Sequence, residues 1–186
     1  MPESPTPRPR RWPRRLAIAA GVLLGLGVAV WFWLPHYGLN TAKRYMRWQF
    51  PEVPTITTTA LAAWLADSNR TAPLLLDVRL PEEFAVSHLP DARHTLPDTA
   101  VMRLLATLPA DRPLVLYCAA GYRSANLAQQ LREAGRTNVF NLEGAIFAWA
   151  QEGRPLNRGN ATAHVVHPFN WLGTRLIPRE CQADLR

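Results

Sequence analysis

The sequence predicts an α/β domain of three layers around a mainly parallel sheet, preceded by one transmembrane helix. Three observations carry this. From Thr55 onward, short apolar runs alternate with helical patterns. Two of these runs, 73–78 and 113–117, are apolar at successive positions, as in strands covered on both faces. Ahead of them, Leu16 to Leu34 carries no charge and no polar stripe.

Along the chain, a basic stretch occupies 1–15 and the apolar span 16–34. As a helix rising about 1.5 Å per residue, the span covers roughly 28 Å, enough for a hydrocarbon core of about 30 Å. Trp12 and the cluster Trp31, Phe32 and Trp33 suit the two interfacial belts, and Pro35 follows. Arg8, Arg10, Arg11, Arg14 and Arg15 precede the span, against Lys43, Arg44 and Arg47 after it. The bias places the N-terminus in the cytoplasm and the rest beyond a bacterial inner membrane, in the periplasm. A cleaved signal peptide is the alternative, but the apolar run is long for one. Residues 35–54 read as a juxtamembrane linker, with 41–50 either an interfacial helix or plain basic chain.

The domain is expected over 55–157. Ile56 to Thr58 is a short strand, and Thr59 caps a helix through Trp64 and Leu65. Strand 73–78 ends in Asp77, and Pro81-Glu82-Glu83 opens a helix with proline and acids in its first turn. A brief strand follows near Arg93. Asp98 then caps a helix carrying Val101, Leu104, Leu105 and Leu108. Strand 114–117 leads to a helix starting near Ser124, with Leu127, Ala128, Leu131 and Ala134 on one face, and Gly135 ends it. Val139-Phe140 is the last strand and 145–151 the last helix. A tail, 158–186, remains.

The 186 residues carry a formal net charge of +7. Eight basic side chains against two acidic ones lie within 1–52, so the globular part is nearly neutral and a nucleic-acid partner is not expected. No motif calls for a cofactor or a metal. Cys118 and Cys181 are too few for a disulfide scaffold, though a resolving pair between them is conceivable.

The chemistry concentrates in Cys118-Ala119-Ala120-Gly121-Tyr122-Arg123-Ser124, between a buried strand and an amphipathic helix at the carboxyl edge of the sheet, where α/β sites gather. No proline interrupts 118–135, so every amide there can donate. Such a nest binds anions and favours a thiolate. Gly121 supplies a positive φ, and Arg123 a fixed charge able to fork onto an anion. The opposing reading is a small buried cysteine without chemistry.

Cys-x-x-Gly-x-Arg-Ser in this setting resembles the active-site loop of the rhodanese (sulfurtransferase) family. Other stretches resembling that family occur in order: Leu75-Leu76-Asp77-Val78-Arg79 with Glu82-Glu83-Phe84, then Ser87-His88-Leu89-Pro90-Asp91-Ala92, then Asn141-Leu142-Glu143-Gly144-Ala145 with Ala148-Trp149. The resemblance implies a five-stranded sheet and a two-step transfer. Cys118 takes the outer sulfur of thiosulfate or a persulfide and carries it as a persulfide to cyanide or a thiol, which in the cell could belong to a protein. The amides of Ala119, Ala120, Gly121, Tyr122, Arg123 and Ser124, with the Arg123 guanidinium, would bind the donor. Ser124 also reads as the helix N-cap.

Asp77 and Arg79 match the family's Asp-x-Arg element and read as an ion pair supporting the loop. Ser87, Asp91 and Ala145 stand where relatives usually have glycine. Four residues separate Cys118 from Arg123, one fewer than in the phosphatase cousins, which disfavours phosphatase or arsenate-reductase chemistry. Ala119 stands where many thiosulfate users carry a basic residue, favouring an organic persulfide donor. The tail, with His164, His167, Pro168, Phe169, Asn170 and Trp171, resembles an ordered extension of some single-domain relatives, and His167 is its candidate to approach the site. The rival from another class is a non-enzymatic module docking a partner at the membrane.

Overall fold

The computed structural model describes residues 12–96, 99–109 and 111–184, with the side chains of all of these except 12–15, 31–37, 99, 100 and 102. The chain divides into two compact units, 1–34 and 35–186.

In the first unit, helix α1 (Trp12–Gln49) begins, and its apolar side chains, among them Leu16, Leu23, Leu24 and Val30, are exposed. Among the described residues, no helix is long and apolar enough to cross a membrane. The span at 16–34 thus remains an expectation from sequence. The aromatic cluster at 31–33 and the arginines at 8–15 fall outside the described side chains.

In the second unit, α1 continues to Gln49, and this stretch is more than a linker. Leu39, Phe50 and Val53 are buried, and Met46 packs against the cluster that holds Phe50 and Val53. Arg47 pairs with Glu143. Lys43 lies against Gly144, where an added Cβ would meet its Cε at 2.5 Å.

The main sheet has five strands: β1 (Thr55–Ile56), β2 (Leu74–Asp77), β3 (Arg93–His94), β4 (Leu114–Tyr117) and β5 (Val139–Leu142). Their order is β1-β5-β4-β2-β3, and every pairing is parallel. Successive strand side chains point to opposite faces, and this pleat divides the core. Leu75, Val115, Tyr117 and Leu142 face α2 (Thr58–Ala66) and α6 (Ala145–Gln151) through Leu61, Ile146, Phe147 and Trp149. Leu74, Leu76, Leu114, Leu116 and Val139 face α4 (Thr99–Ala106) and α5 (Tyr122–Glu133) through Val101, Leu105, Leu127, Ala128 and Leu131. Helices on both faces explain why β2 and β4 are buried at all four positions. Helix α3 (Pro81–Val86) bridges β2 and β3.

The element ends correct the sequence reading in places. Thr57, rather than Thr59, caps α2 by accepting the Ala60 N–H, while Thr58 turns inward and donates to Glu152 at 2.6 Å. The expected cap Asp98 lies outside the described residues. Helix α5 ends as expected: Gly135 takes φ 90, its N–H reaches Arg132 and the Arg136 N–H reaches Leu131, both at 2.9 Å.

The tail is ordered. Strands β6 (Leu156–Arg158) and β7 (Ala161–Ala163) form an antiparallel hairpin, and 3-10 turns follow at Gly173–Arg175 and Arg179–Cys181. Val166 and Ile177 join the core on the α2–α6 side, where Cys181 also packs. Cys118 belongs to the opposite face of the sheet, and both thiols are free.

Candidate active site

Cys118 follows β4 directly, so the most buried strand of the sheet delivers it. Its side chain is 2% exposed and packs beside Ala125 and Val78. Two bonds from the start of α6 clamp the turn beyond it: Ile146 N–H donates to the Cys118 carbonyl at 3.2 Å and Phe147 N–H to the Ala119 carbonyl at 3.1 Å. The chain then turns through Gly121, whose φ of 115 is open to glycine and strained for other residues.

Gly121 is the pivot of the loop. Its N–H donates to the Cys118 Sγ at 3.2 Å. Its carbonyl accepts three bonds, from Ala125 N–H at 3.1 Å, Asn141 Nδ2 at 3.2 Å and Ser124 Oγ at 3.3 Å. Helix α5 therefore begins at Tyr122 with Gly121 as its N-cap. Ser124 is fully buried inside the first turn and is not the cap that the sequence suggested. Met46 closes the outer side of the turn, 3.8 Å from where a Gly121 Cβ would stand.

Arg123 is held by Glu83. Its Nη1 and Nη2 donate to the two carboxylate oxygens at 2.7 and 2.9 Å. Burial works against the charge of this guanidinium, but the Glu83 hydrogen bonds and the neighbouring Cys118 sulfur outweigh it and raise its pKa. Glu83 also accepts the Leu80 N–H at 2.9 Å, which caps α3. Burial would push its carboxyl up, yet Arg123, the Leu80 N–H and Arg79 together bring it below the ordinary range. One face of Arg123 is covered by Phe169, whose ring centre lies 4.7 Å from Cζ.

Asp77 and Arg79 form a pair with no exposure on either side chain. Arg79 Nε and Nη2 grip the carboxylate, and Nη2 also donates to the Ser87 carbonyl at 2.6 Å. Alongside, the Leu89 N–H donates to the Tyr117 hydroxyl at 3.1 Å. Burial, with Asp77 nearby, pushes that phenol well above its ordinary value. The pair thus braces the 87–89 turn against the end of β2, and Tyr117 braces it against β4. His88 is structural too, stacking on Phe84 at 4.1 Å.

The glycine replacements at two family positions have a backbone cost. Asp91 takes φ 58 and Ala145 φ 51, so both side chains stand in the left-handed region. In the tail, His167 Nδ1 accepts the Phe169 N–H at 3.0 Å. Phe169, rather than His167, is the residue placed on the loop. Glu83 was legible as a helix-start acid but not as the partner of Arg123. Asn141 had a readable signal, a lone amide inside the run Val139 to Leu142. Phe169 had none.

A buried cysteine under a backbone amide, at the carboxyl end of a central parallel strand and beside a braced arginine, is an arrangement of an α/β domain that can support thiol nucleophilic chemistry. The rhodanese-like domain family matches residues 57–152, just over half of the chain, and the chain belongs to that family. A sulfurtransferase of Allochromatium vinosum is 38% identical over 104 residues, covering 56% of this chain and 94% of its own. A thiosulfate sulfurtransferase of Actinobacillus pleuropneumoniae is 33% identical over 94 residues, covering 50% and 85%. The solution structure of a rhodanese-like domain from Anabaena superposes with a TM-score of 0.51 at 25% identity, covering 59% of this chain and 86% of that one.

Proposed function

We propose that the protein is a rhodanese-type sulfurtransferase with Cys118 as the sulfur carrier. The observation that carries this is the Gly121 N–H on the Cys118 Sγ, at the carboxyl end of the central strand β4. With thiosulfate, the Cys118 thiolate attacks the outer sulfur, the S–S bond of the donor breaks, and sulfite leaves with the electron pair. The Cys118 persulfide then gives its outer sulfur to cyanide or a thiol, and Cys118 returns as thiolate. Gly121 N–H is placed to stabilise negative charge on the sulfur at both stages. Ala119, Ala120 and Tyr122 to Ser124 supply further amides around the donor, and Arg123 the nearest guanidinium.

The test is sulfur loading of the full-length chain beside Cys118→Ser. Treatment with thiosulfate or a hydropersulfide should add one sulfur atom to the Cys118 peptide by mass spectrometry, and cyanide should remove it. A chain that gains no sulfur from either donor would sink the reading.

We further infer that residues 16–34 anchor the chain in a bacterial inner membrane, with residues 1–15 cytoplasmic and the catalytic domain periplasmic. The uncharged run and the arginines that precede it support this. Extraction of membranes at alkaline pH checks it: an anchored chain stays with the lipid, and release into the wash would refute the anchor.

A further inference from the structure

The loop's arginine has a neighbour that the transfer chemistry does not call for. Phe169 lies over Arg123 on a backbone with φ 69, which a bulky side chain seldom adopts. Strain of this kind persists only where the surroundings hold it. Here they do. His167 accepts the Phe169 N–H, Asn170 N–H reaches back to the Pro168 carbonyl at 2.8 Å, and Asn170 Oδ1 accepts the Gly173 N–H at 2.9 Å. Gly173 abuts the turn so closely that a Cβ would lie 1.7 Å from the Pro168 oxygen. Val166 and Ile177 root both ends in the core. Yet the ring so held is 46% exposed, so core packing does not account for it.

We propose that Phe169 selects the donor, and that the site takes an organic hydropersulfide with an apolar carbon body in preference to bare thiosulfate. This rests on the sulfur-transfer reading above. The charge of Arg123 is already matched by Glu83 on its edge, and its face is covered by Phe169. Ala119 puts a methyl, not a cation, next to Cys118. A dianion therefore finds little uncompensated positive charge at this arginine. A carbon body finds exposed aromatic surface instead: Phe169 from the tail, lying over Arg123, and Tyr122, 50% exposed, from the residue before it in the loop. In the step itself, the Cys118 thiolate bonds the outer sulfur of R–S–SH and the donor S–S bond breaks. R–S⁻ leaves with the electron pair and takes a proton from water, and Cys118–S–SH remains.

The test compares rates of loading Cys118 from benzyl hydropersulfide and from thiosulfate in the full-length chain and its Phe169→Gly and Phe169→Tyr variants. Glycine accepts the positive φ, so removing the ring this way does not threaten the turn. The unaltered chain and Phe169→Tyr should favour the hydropersulfide. In Phe169→Gly the ratio of the two rates should fall about tenfold, the effect of one lost aromatic contact. A ratio that stays within about threefold, or an unaltered chain that loads faster from thiosulfate, overturns the proposal while leaving sulfur transfer intact. A chain that loads from neither donor overturns both.

Discussion

Arg123 and Glu83 meet fork to fork across 40 residues of sequence, with Glu83 1% exposed and Arg123 27%. The pair ties α3 to the first turn of α5, and so fixes the helix on which the loop is hung. Two parallel charge-assisted bonds set direction as well as distance.

Replacing Glu83 by Gln should therefore cost about 2 kcal/mol, since it leaves a partly buried guanidinium without its counter-charge. The pH dependence follows from the direction of its shift. The folded carboxyl lies below its ordinary value, so the unfolded chain binds this proton more tightly. The stabilisation is complete above the unfolded pKa of about 4.3 and is lost as pH falls through the lower folded value. Thermal melts between pH 6 and 3, in round numbers around that value, should show a shallower acid loss in Glu83→Gln than in the unaltered chain.

Gly121→Ala should damage the loop through its backbone. It forces a side chain to φ 115, although the Cβ itself would meet only ordinary contacts, Asn141 Nδ2 the nearest at 3.6 Å. Backbone strain alone should cost about 1–2 kcal/mol. Because the Gly121 N–H serves Cys118, sulfur loading should fall by about tenfold or more beyond any loss of folded protein. Loading at the unaltered rate would show that this amide does not matter to the chemistry.

Asp91→Gly should stabilise the protein. The side chain is exposed and its φ is 58, so glycine removes strain without opening a cavity. A gain of about 0.5–1 kcal/mol is expected, partly offset by the freer unfolded chain. Denaturant titration at neutral pH measures it, and a lower midpoint would contradict the strain argument.

A chain beginning at residue 53 should be markedly less stable than one beginning at 35. The shorter form lacks Leu39 and Phe50, each 6% exposed in the core, together with the Arg47–Glu143 pair. Burial of two such side chains contributes about 3–6 kcal/mol before the cost of ordering the segment. Equal melting temperatures would mean that 35–52 only decorates the domain.

Mild oxidation should leave Cys118 and Cys181 unlinked in the folded protein. They pack on opposite faces of the sheet, Cys181 beside Ala150 and Cys118 beside Ala125. Cys181 is also a poor nucleophile, because burial raises its thiol pKa and Glu180 adds to the effect. Mass spectrometry of unreduced peptides would reveal a bridge, which would require large movement of the sheet or tail.

What the sequence made legible was what local pattern controls. Apolar runs at 73–78 and 113–117 announce strands buried on both sides, and the loop from Cys118 to Ser124 marks the candidate site. Helix starts were less legible, because threonines at 57, 58 and 59 compete for one cap and only packing against Glu152 decides which turns inward. Long-range partners were hidden for a different reason. Glu83 and Phe169 reach Arg123 from segments whose own local signals concern a helix start and a tail. The stretch 35–54 reads as linker in the sequence because its basic residues are conspicuous, whereas the contacts of Leu39, Met46 and Phe50 depend on where the sheet lies.

Cys118 rides at the end of the middle strand of five, with two strands on either side. Partial openings of such a domain begin at sheet edges and termini and reach the centre last. Amide protons of β4 should therefore exchange with solvent only through global unfolding, and thermal inactivation should coincide with the main melting transition. Fraying of the short outer strands would leave the thiol in register.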